Sequence, residues 1–132
     1  MLDELSFKLN EYVTAEGTGF DAILANSGIL EVVCTNNDEF PINLVVTETQ
    51  LLAITPLFKK EEIQADKLAQ LHEDLLIMSP AIPLSSIGLQ GDTYILFGAM
   101  SLETTFENIV HELEIQAENT LEVLQEIEHL LV

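Results

Sequence analysis

Basic residues are scarce in this chain, and arginine is absent altogether. The 132 residues contain four lysines against 23 aspartates and glutamates, which gives a formal net charge of -19. The four lysines all lie in the first half of the chain: Lys8, Lys59, Lys60 and Lys67. Phosphate backbones and anionic lipid headgroups would be repelled over most of such a surface. The charge argues against nucleic-acid binding and direct membrane insertion. It favours a basic or amphipathic protein partner, with simple solubility as the alternative.

Cysteine is almost as rare, since Cys34 is the only one. No internal disulfide can form, and a thiol in a predicted strand is expected to be buried. It is also expected to be unreactive, because nearby acids raise its pKa. The N-terminal sequence Met-Leu-Asp-Glu lacks the basic and apolar regions of a signal peptide, and no apolar run is long enough to span a membrane. A cytoplasmic location is therefore expected.

Catalytic motifs are also missing from the sequence. It contains no GxSxG, no HExxH and no phosphate-binding glycine loop. His72, His111 and His129 are considered as metal ligands, because His111 and Glu114 are three residues apart on a predicted helix, but His72 and His111 lie on different helices. Carboxylate pairs arise by chance in so acidic a chain. We predict no catalytic residue, no cofactor and no metal site.

The hydrophobic share of 48% and the length predict one globular domain over residues 1–132. Apolar periodicity, Gly, Pro and turn residues predict the order α-β-β-β-α-β-β-α. The predicted elements are a helix from Leu2 to near Glu16-Gly17, strands 29–35, 42–47 and 51–55, a helix from near Asp66 to before Pro80, strands 84–89 and 93–100, and a helix from Ser101 to the C-terminus. Short links between the strands favour an antiparallel sheet with helices on one face, which is an α+β fold.

The last predicted helix has an apolar stripe that widens near its end. Val123 and Leu130 lie beside the main stripe, so the last two turns are apolar over a broad arc. This pattern suggests a contact with a dimer mate or another partner. Packing beneath the first helix is the alternative. Ile115, on the opposite side, is a further candidate contact unless it is a single exposed apolar residue.

The element order, size and acidity resemble those of the small acidic chaperones of type III secretion. Within that fold group, Pro83-Leu-Ser-Ser-Ile-Gly-Leu-Gln-Gly-Asp-Thr-Tyr-Ile-Leu-Phe-Gly-Ala-Met-Ser101 and His111-Glu-Leu-Glu-Ile-Gln-Ala-Glu-Asn119 are similar to an uncharacterised bacterial family typified by YjfI. The chaperone resemblance implies a homodimer that holds a non-globular client segment without ATP. The YjfI-like resemblance implies a PspA-family membrane-stress protein as partner, because such genes are neighbours.

These observations predict a non-enzymatic protein-binding module, either chaperone-like or an adaptor. One alternative is a small-ligand sensor or small enzyme with a pocket between the sheet and the helices. Another is an inert structural subunit of a larger complex.

Overall fold

The computed structural model describes all 132 residues, which form three α-helices and six β-strands. The elements are α1 (Leu2–Asn10), β1 (Phe20–Leu24), β2 (Leu30–Cys34), β3 (Asn37–Val46), β4 (Gln50–Lys59), α2 (Leu68–Met78), β5 (Ser86–Gln90), β6 (Thr93–Ser101) and α3 (Phe106–Ile127). The strands form one sheet in the order β1-β2-β3-β4-β6-β5, and every neighbouring pair is antiparallel. The predicted α+β class and antiparallel sheet are confirmed.

All three helices lie on the same face of the sheet. Alternate strand residues point toward them, and three of these residues are fully buried in the middle of the sheet: Leu44, Leu51 and Leu96. One apolar cluster lies under α1 and the first half of α3, and a second lies under α2 and the end of α3. The opposite face of the sheet therefore has no helix over it.

A buried polar layer lies between these two clusters. The side-chain amide of Gln116, on α3, donates to the Ala53 carbonyl at 3.1 Å and to the Thr55 hydroxyl at 2.9 Å. The same nitrogen is 3.5 Å from the Leu96 carbonyl, and Thr120 Oγ1 donates to the Gln116 carbonyl at 2.9 Å. Buried polar groups are costly unless they are paired. These contacts therefore favour one position of α3 along the sheet.

Strand β1 is an addition to the predicted order, because residues 20–24 lie outside every predicted helix and strand. Phe20 and Ala22 are buried, and they alternate with exposed residues. Helix α1 covers the outer edge of this strand. The Asn10 side chain accepts from the Ala22 N–H at 2.8 Å and donates to the Ala22 carbonyl at 3.0 Å, as a neighbouring strand would. This edge is thereby protected from pairing with another chain.

Several predicted boundaries shift, each for a local reason. Helix α1 ends at Asn10, well before Gly17. Strand β4 continues through Pro56 to Lys59, because the register with β6 shifts between Pro56 and Phe58 and a proline is tolerated at such a bulge. Helix α3 begins at Phe106, where Thr105 Oγ1 accepts from the Asn108 N–H at 3.2 Å. Ser101 instead ends β6.

Candidate protein-binding surfaces

The uncovered face of the sheet is apolar across the neighbouring strands β4 and β6. Antiparallel sheets with one solvated face usually alternate apolar and polar residues. Strands β4 and β6 do not, because every outward position between their ends is apolar: Leu52, Ile54, Pro56, Ile95, Phe97 and Ala99. We call these six residues, together with Val45 of β3, the sheet surface. The composition of β4 and β6 is thus typical of strands that are covered on both faces.

Charged residues are confined to the margins of this face. Asp21 of β1 and Glu31 of β2 point outward. In the register of the two strands, Asp21 pairs with Val33 and Glu31 pairs with Ile23. Lys59 lies at the end of β4, opposite Thr93. No acidic side chain occupies an outward position of β4 or β6 between their ends. In a chain of net charge -19, the centre of the sheet surface is therefore an uncharged area.

Two of the residues predicted as partner contacts are buried inside the subunit. Val123 has no exposed surface and Leu130 is 2% exposed. Both belong to the apolar cluster that includes Leu71 and Leu75 of α2. The broad apolar arc at the end of α3 is thus covered by α2. Of the two alternatives, internal packing is the one observed, with α2 in the place expected for the first helix. Ile115 remains partly exposed.

The chain before α2 also covers the C-terminus, which explains why Leu130 is not on the surface. Gln64 Nε2 donates to the carbonyls of His129 and Leu131, each at 3.0 Å. The Gln64 N–H donates to the Leu130 carbonyl at 3.0 Å, and the Val132 N–H donates to the Glu62 carbonyl at 2.8 Å. The residues after α3 are thereby held against segment 62–64. Sequence periodicity contains no sign of this long-range contact.

The histidines are dispersed over the structure. His72 Nε2 lies 2.6 Å from the hydroxyl of Tyr94, whose pKa is raised by burial. Glu114 is buried and accepts from the Thr14 hydroxyl at 2.8 Å. Its carboxylate therefore has a role in internal packing and does not share a ligand with His111. No group of three or more His, Cys, Asp or Glu side chains is arranged to hold a metal ion.

The position of Cys34 agrees with the prediction of a buried thiol. It is 1% exposed, and burial raises its pKa to about 12, with a further contribution from the negative charge of Glu114. A group whose pKa is higher in the folded state contributes stability below its unfolded pKa. For Cys34, that contribution is full below about pH 9 and is lost as the pH rises toward 12.

We expect Cys34 to react with iodoacetamide roughly a thousand times more slowly in the native protein than in denaturant at about pH 8, because only the thiolate reacts. The measurement is the alkylation rate by mass spectrometry, with and without guanidinium chloride. A native rate close to the denatured rate would show that the thiol is accessible and ionised.

The largest depression in the surface is a groove between α2 and α3. It has a volume of about 580 Å³ and is open to solvent. Its walls carry the apolar Ile77, Met78 and Ile82 together with the acidic Glu122 and Glu126. We call it the α2–α3 groove. It lies on the outside of the helices, away from the space between sheet and helices in which a ligand pocket was considered.

Neither surface was predicted as a binding site, although the apolar composition of two strands was a usable signal for the sheet surface. Residues 51–58 and 94–100 are apolar at nearly every position, whichever face is considered. That pattern predicts strands with two apolar faces. The groove has no such signal, because its residues come from two helices and the segment after α2.

None of the three α-helices is both long and apolar enough to cross a membrane.

Comparison with known proteins places the chain in an uncharacterised group. Residues 2–131 match the model of a family described as an uncharacterised protein conserved in bacteria, DUF2170. No curated protein matches the chain. Among solved structures, the chain is similar to YbjN from E. coli, described as "a putative transcription regulator", with a TM-score of 0.70 and 16% sequence identity. The match covers 100% of this chain and 95% of YbjN, so the two share a fold.

Proposed function

The chain belongs to the uncharacterised bacterial family DUF2170, and we propose that it is a non-enzymatic protein-binding module. The proposal is based on the surfaces of the fold. In this proposal it acts in the bacterial cytoplasm as a homodimer, in a chaperone-like or adaptor role. The observation that carries the proposal is the apolar sheet surface, which has no helix over it, although Ile95 within it is already buried by its neighbours in the sheet.

The second copy is the occupant that we assign to the sheet surface. Two sheets that pack face to face lie about 10 Å apart with their strands nearly aligned. A twofold axis parallel to the strands would place β4 and β6 of one copy over those of the other. Strand β3 would then lie over β5 of the partner, and Asp21 and Glu31 would lie beyond the β5 edge of the partner sheet. This arrangement buries apolar groups without opposing like charges.

The remaining surface of such a dimer is strongly negative, which suits a partner with basic segments. The resemblance to the YjfI-like family suggests that a PspA-family protein is the partner to test first. YbjN, which shares the fold, is described as a regulator. That description is compatible with a role through protein contacts.

The proposed dimer has a direct test in the mass of the protein in solution. We expect light scattering after gel filtration to give twice the subunit mass of 14.6 kDa. Changing Ile54 to Glu should weaken the dimer by about 100-fold, because each copy would bury an unpaired carboxylate in the interface. The variant should remain folded, because Ile54 points away from the helices.

The matched control is Val46→Glu, which adds the same charge to the same sheet. Val46 is 41% exposed and shares a register position with Leu51, which points toward the helices. This variant should remain dimeric. A monomeric wild-type protein, or equal effects of the two substitutions, would contradict dimerisation through the sheet surface.

Binding of a PspA-family protein is measured separately, by co-purification at low and at high salt. A failure to bind it at any salt concentration would remove that partner.

A further inference from the structure

The α2–α3 groove combines an apolar interior with an acidic rim. Ile77 is 69% exposed on one wall, and Met78 and Ile82 are partly exposed beside it. Val123 lies at the bottom of the groove without any exposed surface. An exposed isoleucine at the mouth of an apolar depression is a feature that a partner side chain can cover.

No lysine lines the groove beside the carboxylates of its rim, and the imidazole of His129 is the one basic side chain in its lining. Asp74 stands on the α2 side, and Glu122 and Glu126 stand on the α3 side. The only salt bridge in the protein joins Lys8 to Glu4, at 3.7 Å. No lysine or arginine occurs after Lys67. The negative potential along the groove therefore has no lysine or arginine as counter-charge and attracts a cation from outside.

The spacing of the rim residues matches one helical turn. Glu122 and Glu126 are four residues apart on α3, which separates them by about 6 Å along the helix axis. Basic residues at positions i and i+4 of another helix have the same spacing. Amphipathic helices bind grooves by inserting an apolar stripe, and flanking charges fix their orientation.

We propose that the α2–α3 groove binds a cationic amphipathic helix of a partner protein. Apolar side chains of that helix cover Ile77 and enter the groove above Val123, while its lysines or arginines face Glu122 and Glu126. The inference builds on the proposed protein-binding function but uses a different surface from the dimer contact. The groove can therefore be lost without loss of the dimer, and the reverse is also true.

The test uses the full-length protein and a fluorescein-labelled synthetic helix of leucine and lysine, with leucines at i, i+3, i+4 and i+7. We expect saturable binding by fluorescence anisotropy that weakens as the NaCl concentration rises. The double substitution Glu122→Lys with Glu126→Lys should lower the affinity about tenfold or more, since two attractive contacts become repulsive. Ile77→Ser should weaken binding without changing its salt dependence.

The matched control is Glu107→Lys with Glu118→Lys, which makes the same change in net charge at exposed positions of α3 outside the groove. It should leave the affinity nearly unchanged. Absence of binding, an equal loss in both double variants, or equal binding of a glutamate-containing helix with the same leucine pattern would each overturn the proposal. Light scattering on the same samples reports the dimer, so failure of the groove and failure of the dimer are distinguished.

Discussion

Replacing Val123 by lysine is expected to lower the free energy of unfolding by about 3–5 kcal/mol, a large share of the roughly 5–15 kcal/mol that stabilises a folded domain. Val123 has no exposed surface and packs in the cluster that contains Leu71, Leu75 and Ile127. A charged amine placed there has no partner, and desolvation of an unpaired charge is among the most destabilising changes known. Urea unfolding followed by circular dichroism measures the effect.

Leu121→Lys is the control for this substitution, because Leu121 lies on the same helix and is 42% exposed. We expect it to change the free energy of unfolding by no more than about 0.5 kcal/mol. A Val123→Lys protein that is as stable as Leu121→Lys, but has lost association, would return Val123 to the surface role that the sequence suggested. Loss of the folded state confirms the internal role instead.

The contrast at Val123 shows what helical periodicity can predict. The pattern of apolar residues correctly identified a long helix with a broad apolar arc at its end. It cannot specify which part of the same chain covers that arc. The cover comes from α2 and from segment 62–64, which lie about 50 to 60 residues earlier in the sequence. Burial at the end of α3 is therefore a tertiary property.

Short segments of sequence predicted an element correctly where neighbouring residues determine its structure. The predicted strands 84–89 and 93–100 correspond to β5 and β6, and Gly91 between them has the positive φ of 60° that a hairpin turn favours. Strand β1 was missed for the opposite reason. Its five residues lie between Gly19 and Gly28, and its stability comes from pairing with β2 and from the contacts of Asn10.

The sheet surface illustrates an intermediate case. The sequence of β4 and β6 shows that both faces are apolar, and this much is readable from residues 51–58 and 94–100. Which face the helices cover depends on the connections between elements, so the identity of the uncovered residues was not predictable. Once the helices are placed on the side of Leu51 and Leu96, the outward positions follow from the alternation of a strand.

Replacing Gln116 by leucine is expected to destabilise the protein by about 2–3 kcal/mol, although the two side chains are similar in size. The substitution removes the donor that serves the Thr55 hydroxyl and the Ala53 carbonyl. Thr55 is completely buried, so water cannot replace the lost partner. The free energy of unfolding is measured in urea. Gln125→Leu, at an exposed position of the same helix, should be nearly neutral.

A double-mutant cycle separates the polar contact from the change in packing. Combining Gln116→Leu with Thr55→Val removes both polar partners and leaves two apolar groups of matching shape. The double variant should recover about 1–2 kcal/mol relative to the sum of the single changes, because no hydroxyl is then left unpaired. Strict additivity would mean that the Gln116 to Thr55 hydrogen bond contributes nothing. The position of α3 on the sheet would then depend on the two apolar clusters alone. Apolar packing would also decide which face of the sheet the helices leave uncovered.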